Sequence, residues 1–239
     1  MKKVIIIGAT SGIGRALSVE LHNRGYVIGA TGRRRHKLLE LEDELHHRIH
    51  IQQMDVTKLD KSRQQLETLI DEMEGMDIVV LNAGVSNMQG SSDWNREQQV
   101  IEVNVVGFTF LANYCFSYFK KKGSGQIVGV SSIAGLFGYG RSAVYNASKA
   151  FVSTYMQGYR QKVNHIDTNI TITDLKPGFV ASEMTKDMKG LFWVADPGKA
   201  ARQMADAIEK KKNHAYITKR WRLFAWLVKL TPNWVLDRL

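Results

Sequence analysis

The sequence predicts one doubly wound α/β domain built on a seven-stranded parallel sheet, and three observations carry that expectation. Seven short runs rich in Val and Ile, at 4–7, 26–30, 49–54, 77–81, 126–130, 170–175 and 215–217, are mostly too continuous for one-sided strands and read as buried on both faces. Stretches with apolar residues at helical spacing, such as 14–24, 35–45, 59–73 and 199–210, fall between them, and this alternation implies helical crossovers between parallel strands. A length of 239 residues with 44% hydrophobic content is enough for one large core, while three prolines, no repeat and no low-complexity segment mark no internal boundary. The expected organisation is a catalytic-sized domain over 1–218 and an amphipathic helical extension over 219–239.

The first strand runs into Gly8-Ala9-Thr10-Ser11-Gly12-Ile13-Gly14 and then a helix. Glycines there permit a tight turn and close approach of a backbone, and the helix N-terminus aims free N–H groups and about half a positive charge at a pyrophosphate. The second strand ends in Arg33-Arg34-Arg35, where an NAD site would place an acidic residue for the ribose 2′-hydroxyl. The planar guanidinium of Arg33 or Arg34 suits a 2′-phosphate, so NADP(H) is favoured over NAD(H). A solvated basic helix start is the plainer alternative, though cations near a helix N-terminus oppose its dipole.

The segment 105–119 carries almost no charge, so its helix is expected to be buried on more than one side, one face on the sheet and another in a subunit interface. Within it, Cys115 lies among aromatics and reads as a small buried thiol; as the lone cysteine it cannot pair within the chain, which fits a reducing, cytoplasmic compartment. The apolar start at 4–7 is too short for a signal peptide, and no run approaches the ~18 apolar residues of a membrane span. His46, His47 and His50 form no recognisable zinc motif, so no metal is expected.

Over 142–162 a helix carries Tyr145 and Lys149 one turn apart on one face. A phenol titrating near pH 10 is a poor acid or base at neutral pH, and a nearby ammonium lowers that value. Before the tyrosine, Ser131 and Ser132 follow the strand 126–130 at the carboxyl edge, where such sheets bind ligands and a hydroxyl would hold the substrate oxygen beside the phenol. No histidine is arranged to make Ser131 or Ser132 a nucleophile, which disfavours a hydrolase.

Taken together, Gly8 to Gly14, Asp55-Val56, Asn82-Ala83-Gly84, Asn104, Ser132, Tyr145-x-x-x-Lys149 and Pro177-Gly178 resemble, in order and spacing, the short-chain dehydrogenase/reductase superfamily, from the first strand to about residue 218. The resemblance implies a Rossmann-like fold and a tetrad of Asn104, Ser132, Tyr145 and Lys149. In it Tyr145 protonates a carbonyl oxygen or deprotonates an alcohol, Lys149 holds the nicotinamide ribose and depresses the tyrosine, and Asn104 helps to hold a water. It also implies Asp55 and Val56 at the adenine, Asn82 to Gly84 beneath the cofactor, and Val180 near the carboxamide. Ile7 and Leu81 depart from the family's threonine and asparagine, and Ser182 stands for a threonine with its hydroxyl kept. The resemblance implies a small carbonyl or alcohol substrate and a homodimer or homotetramer. An epimerase or dehydratase that uses the cofactor transiently, a membrane-peripheral reductase of lipid ketones, and a cofactor-dependent binding module are the competing readings.

Segment 179–196, with Met184, Met188, Leu191, Phe192 and Trp193, reads as an apolar lid for a hydrophobic substrate, or as packing against the sheet or a partner. The net charge of +10 divides unevenly: residues 201–239 hold nine basic and three acidic residues. No recognition helix or aromatic RNA motif accompanies that excess, so nucleic acid is not an expected partner. Three of the five tryptophans lie beyond residue 218, where Trp221, Phe224, Leu227 and Val228 would share one helix face and Arg222 and Lys229 another. Such a helix suits a membrane interface, closure over the substrate cleft, or a neighbouring subunit. Thr231-Pro232 reads as the cap and first position of a final short helix.

Overall fold

The computed structural model describes residues 1–86, 93–186, 188 and 190–238, so Asp187 and Lys189 of the expected lid and Leu239 of the expected tail lie outside the described residues. Strands β1 (Lys3–Ile7), β2 (Val27–Gly32), β3 (Ile49–Gln53), β4 (Ile78–Leu81), β5 (Ser124–Val130), β6 (Asn169–Pro177) and β7 (His214–Ile217) form one parallel sheet in the order β3-β2-β1-β4-β5-β6-β7. The chain winds from β1 out to β3, returns to β4 and winds the other way, which puts the switch point between β1 and β4.

Parallel neighbours need crossovers long enough for a helix, here α1 (Gly12–Asn23), α2 (Arg35–Leu45), α3 (Leu59–Glu72), α4 (Trp94–Ile101), α5 (Phe108–Lys122), α6 (Ala143–Val163) and α7 (Pro197–Glu209), followed by α8 (Trp221–Leu230) and α9 (Asn233–Leu236). These cover both faces. Val4 and Ile6 of β1 point into a core with Leu17, Leu38 and Met204, whereas Ile5 and Ile7 join Leu66, Leu111 and Met156 on the other side. Period-two alternation between two apolar layers is why the strands read as unbroken apolar runs. The edge strands are the exceptions: β3 is half-buried along most of its length and β7 is buried only at Ile217, because an edge strand lacks one neighbour.

The helix expected over 105–119 begins earlier. α4 passes through a π-helical stretch, Glu102–Gly107, directly into α5, and by length and composition alone this continuous helix, Trp94–Lys122, could cross a membrane. Half of its most apolar window is buried within the protein, and Cys115 is fully buried there, its thiol pushed up by desolvation. Val106, on the outer side, is 43% exposed. At the C-terminus Trp221, Ala225 and Val228 are buried, which ties α8 to the body. The Thr231 hydroxyl donates back to the Leu227 carbonyl of α8, so it closes that helix where the sequence suggested a cap for the next.

Candidate active site

The glycine turn sits at the switch point. Gly8 has φ +97°, and a Cβ there would lie 2.7 Å from the Ala83 backbone, so only glycine lets the turn after β1 rest on the loop after β4. A Cβ on Gly14 would collide with the Gly8 carbonyl and the Asn82 amide, which donates to that carbonyl at 2.7 Å. Ser11, the N-cap of α1, makes no side-chain capping bond, leaving the first N–H groups of the helix turned toward the groove. Ser182 approaches the same turn: a Cβ on Gly12 would lie 3.2 Å from its own.

Beside this turn runs a groove of about 600 Å³ whose lining includes Gly8, Thr10, Ser11, Gly12, Ile13, Arg33, Arg34, Asp55, Val56, Asn82, Ala83, Gly84 and Ser182. The expected binding residues from five separate loops thus meet along one channel. Arg34 crosses it, donating to the hydroxyls of Thr10 at 3.1 Å and Ser11 at 2.6 Å and pairing with Glu183 at 2.6 Å. Arg33 is exposed at the rim. The Asp55 carboxylate instead serves its own loop, accepting from the N–H and hydroxyl of Thr57.

A second cavity of about 520 Å³ adjoins the groove through Ile13, Asn82, Gly84 and Ser182, and holds Ser132, Tyr145, Lys149, Pro177, Gly178 and Val180 in its wall. Asn104 is the expected tetrad member that is not in either wall. Its amide is fully buried, accepting from the Val85 N–H and donating to the Val85 carbonyl and the Ser148 hydroxyl. The π-helical turn that carries it widens the backbone where the side chain must reach that loop, a common device near functional sites. Gly84 lies between Asn104 and Lys149: a Cβ on it would be 3.4 Å from Asn104 Oδ1 and 3.3 Å from Lys149 Nζ.

Ser132 lies beside Tyr145 in the cavity wall, and its hydroxyl accepts from the Ala134 N–H and donates to the Pro177 carbonyl. The i, i+4 spacing predicts that the ammonium lowers the tyrosine. Burial dominates instead and raises the phenol above its ordinary value, with Ser132 opposing it. Lys149 is itself buried, donates to the Val130 carbonyl at 2.9 Å, and lies 5.8 Å from the Tyr145 ring centre. Desolvation lowers it to about 8, with the Asp174 charge acting the other way. Asp174, which sequence reasoning missed, is buried behind the site, accepting from Ser131 and Ser153 and paired with Lys176. An acidic residue in an apolar strand was the available signal.

The far wall comes from the tail. Trp221 and Phe224 line the cavity with Phe137, Phe179 and Phe192, and the Trp221 ring packs edge-on against Phe179 at 5.6 Å. The place of a Cβ on Gly178 is taken by the indole of Trp221. Gly178→Ala should therefore displace that ring and cost about 1–3 kcal/mol by overpacking, read as a lower unfolding midpoint with a changed tryptophan emission. An unchanged melt would mean that the tail yields without loss.

The switch-point groove, glycine turn and adjoining apolar cavity are those of a dinucleotide-binding oxidoreductase. The sequence model of the short chain dehydrogenase family matches residues 2–190. An uncharacterized oxidoreductase of Myxococcus xanthus is 36% identical over 189 residues, 77% of this chain and 74% of that protein. The NADP-dependent 3-hydroxy acid dehydrogenase of Escherichia coli O6:H1 is 28% identical over 211 residues, 86% and 82% of the two chains. Among solved structures, a short-chain dehydrogenase/reductase of Burkholderia phymatum in complex with NAD superposes with a TM-score of 0.85 at 18% identity, over 95% of this chain and 92% of that one. The chain belongs to the short-chain dehydrogenase family and is a nicotinamide-dependent oxidoreductase.

Proposed function

We propose that the protein is an NADP(H)-dependent carbonyl reductase, or alcohol dehydrogenase in reverse, with Tyr145 as the proton donor and acceptor. The observation that carries this reading is the meeting of Tyr145, Ser132 and Lys149 in one wall of an apolar cavity that opens into the glycine-lined groove. The cradle fits a dinucleotide: the groove of about 600 Å³ runs past the uncapped N-terminus of α1, and Gly8 and Gly14 let the turn after β1 pack directly on the loop after β4 to form its floor. Gly8 to Gly14 would hold its pyrophosphate, Asp55 and Val56 its adenine, and Asn82 to Gly84, Pro177, Gly178, Val180 and Ser182 the nicotinamide half. Bound there, nicotinamide supplies or accepts the hydride.

Ser132 positions the substrate oxygen against the Tyr145 hydroxyl. A phenol held protonated by burial is ready to donate as negative charge grows on that oxygen. The Lys149 ammonium lies near enough to favour the phenolate left behind, and Asn104 clamps the loop that forms the floor of the site. Aromatic walls exclude water and suit a hydrophobic carbonyl compound. NADPH consumption across a series of ketones tests the assignment; dehydration or epimerisation without net NADPH loss would overturn it in favour of transient cofactor use.

NADP(H) preference rests on Arg34 and Arg33 at the rim of the groove. A 2′-phosphate would compete with Glu183 for the Arg34 fork. Arg34→Ala should raise the Kd for NADPH roughly 10- to 100-fold, the worth of one charge-assisted contact, with a change of a few-fold at most for NADH. Equal losses for both would remove the phosphate role. The lone buried Cys115 supports work in a reducing, cytoplasmic compartment. The exposed Val106 and Ile101 on the α4–α5 helix support association into dimers or tetramers.

A further inference from the structure

α8 is apolar on two opposite faces. At about 100° per residue, Trp221, Phe224, Ala225 and Val228 form the face turned to the protein, and Leu223, Trp226, Leu227 and Leu230 form a second stripe opposite it. Those four are 59–69% exposed, and Trp234, a few residues on, is 63% exposed. Single exposed apolar residues are ordinary; a contiguous stripe of this size on a soluble domain marks a contact. Arg222 and Lys229 lie together on one flank between the two faces, and Lys219 stands exposed at the start of the helix. Residues 219–236 contain four cations and no carboxylate.

That charge pattern selects the occupant. A second copy of the same surface would set Lys219, Arg222 and Lys229 against the same cations, whereas an anionic lipid surface supplies the counter-charge and accepts tryptophan and leucine at its headgroup boundary. The inner face of the same helix reaches the chemistry. Phe192, 48% exposed, lies in the cavity wall and meets Phe224 of α8 edge-on at 6.3 Å, with Trp193 beside it at 5.6 Å.

We propose that the outer face of α8 docks on an anionic phospholipid membrane, so that the cavity mouth beneath Phe192 receives a carbonyl compound dissolved in that membrane. The lipid-borne substrate rests on the reductase reading; docking does not. The test uses the full-length protein sedimented with phosphatidylcholine vesicles, with and without phosphatidylserine. Binding is expected only with the anionic lipid, weakened by salt, and lowered roughly tenfold or more in Arg222→Gln/Lys229→Gln, a pair of exposed changes that leaves the packed face alone. Trp226→Glu/Leu230→Glu should abolish it. Both variants should reduce a water-soluble ketone at the wild-type rate, and that rate separately tests the reductase reading. Absence of binding, binding indifferent to these substitutions, or a fall in the oligomeric mass of Trp226→Glu/Leu230→Glu without vesicles would overturn the proposal, the last by making this face a subunit interface.

Discussion

Tyr145→Phe is expected to lower turnover by about 10²- to 10⁴-fold or more while leaving NADPH binding within a few-fold of wild type. The ring stays and only the hydroxyl goes, so the half-buried aromatic packing is kept. The proton donor is lost. Ser132 cannot replace it: its own hydroxyl already donates to the Pro177 carbonyl. Because burial raises the Tyr145 phenol, the protonated form prevails at neutral pH and serves carbonyl reduction, whereas alcohol oxidation requires the phenolate and should gain as pH rises. Steady-state kinetics in both directions, with cofactor affinity from nucleotide fluorescence, check the expectation. Turnover within tenfold of wild type would move the acid to another group.

Lys149→Met carries the second large effect, with activity and stability moving in opposite directions. Turnover should fall by two orders of magnitude or more, since the charge that favours the phenolate is gone. Stability should rise. Lys149 falls from 10.5 to about 8 on burial, so below pH 8 the folded protein holds a charge that costs roughly 3 kcal/mol relative to the unfolded chain. Methionine fills similar space without that charge but gives up the bond to Val130, for a net gain of about 1–3 kcal/mol at pH 7. The sign follows from proton uptake. Between pH 8 and 10.5 the unfolded lysine keeps its proton and the folded one has lost it, so wild-type stability climbs with pH and the advantage of the variant shrinks. Denaturant melts from pH 7 to 10 read this directly. A variant less stable at pH 7 would show that the Asp174 counter-charge already compensates the buried ammonium.

The second prediction turns on a residue that the sequence did not single out. Asp174 reads as one polar position in an apolar strand, and its bearing on Lys149 depends on β6 pairing beside β5, where Gly129 faces Asp174 and the Val130 carbonyl receives the lysine. The direction of the Tyr145 shift was likewise out of reach. The i, i+4 spacing places an ammonium near a phenol, but desolvation is set by everything that covers them.

The sequence by itself determined the parallel sheet, the glycine turn at its switch point and the placing of Tyr145 and Lys149 one helical turn apart. These rest on local signals: strand and helix periodicity, glycine where a Cβ has no room, and one helical turn between two side chains. Only the tertiary structure decided how the tail is used. Trp221 fills the space that Gly178 leaves 43 residues earlier, which turns one face of α8 into cavity wall and leaves the other to solvent. Periodicity groups Leu227 with Trp221, Phe224 and Val228 on one face; the structure buries Trp221 and Val228 and leaves Leu227 59% exposed, because which positions are covered depends on the shape of the surface the helix meets.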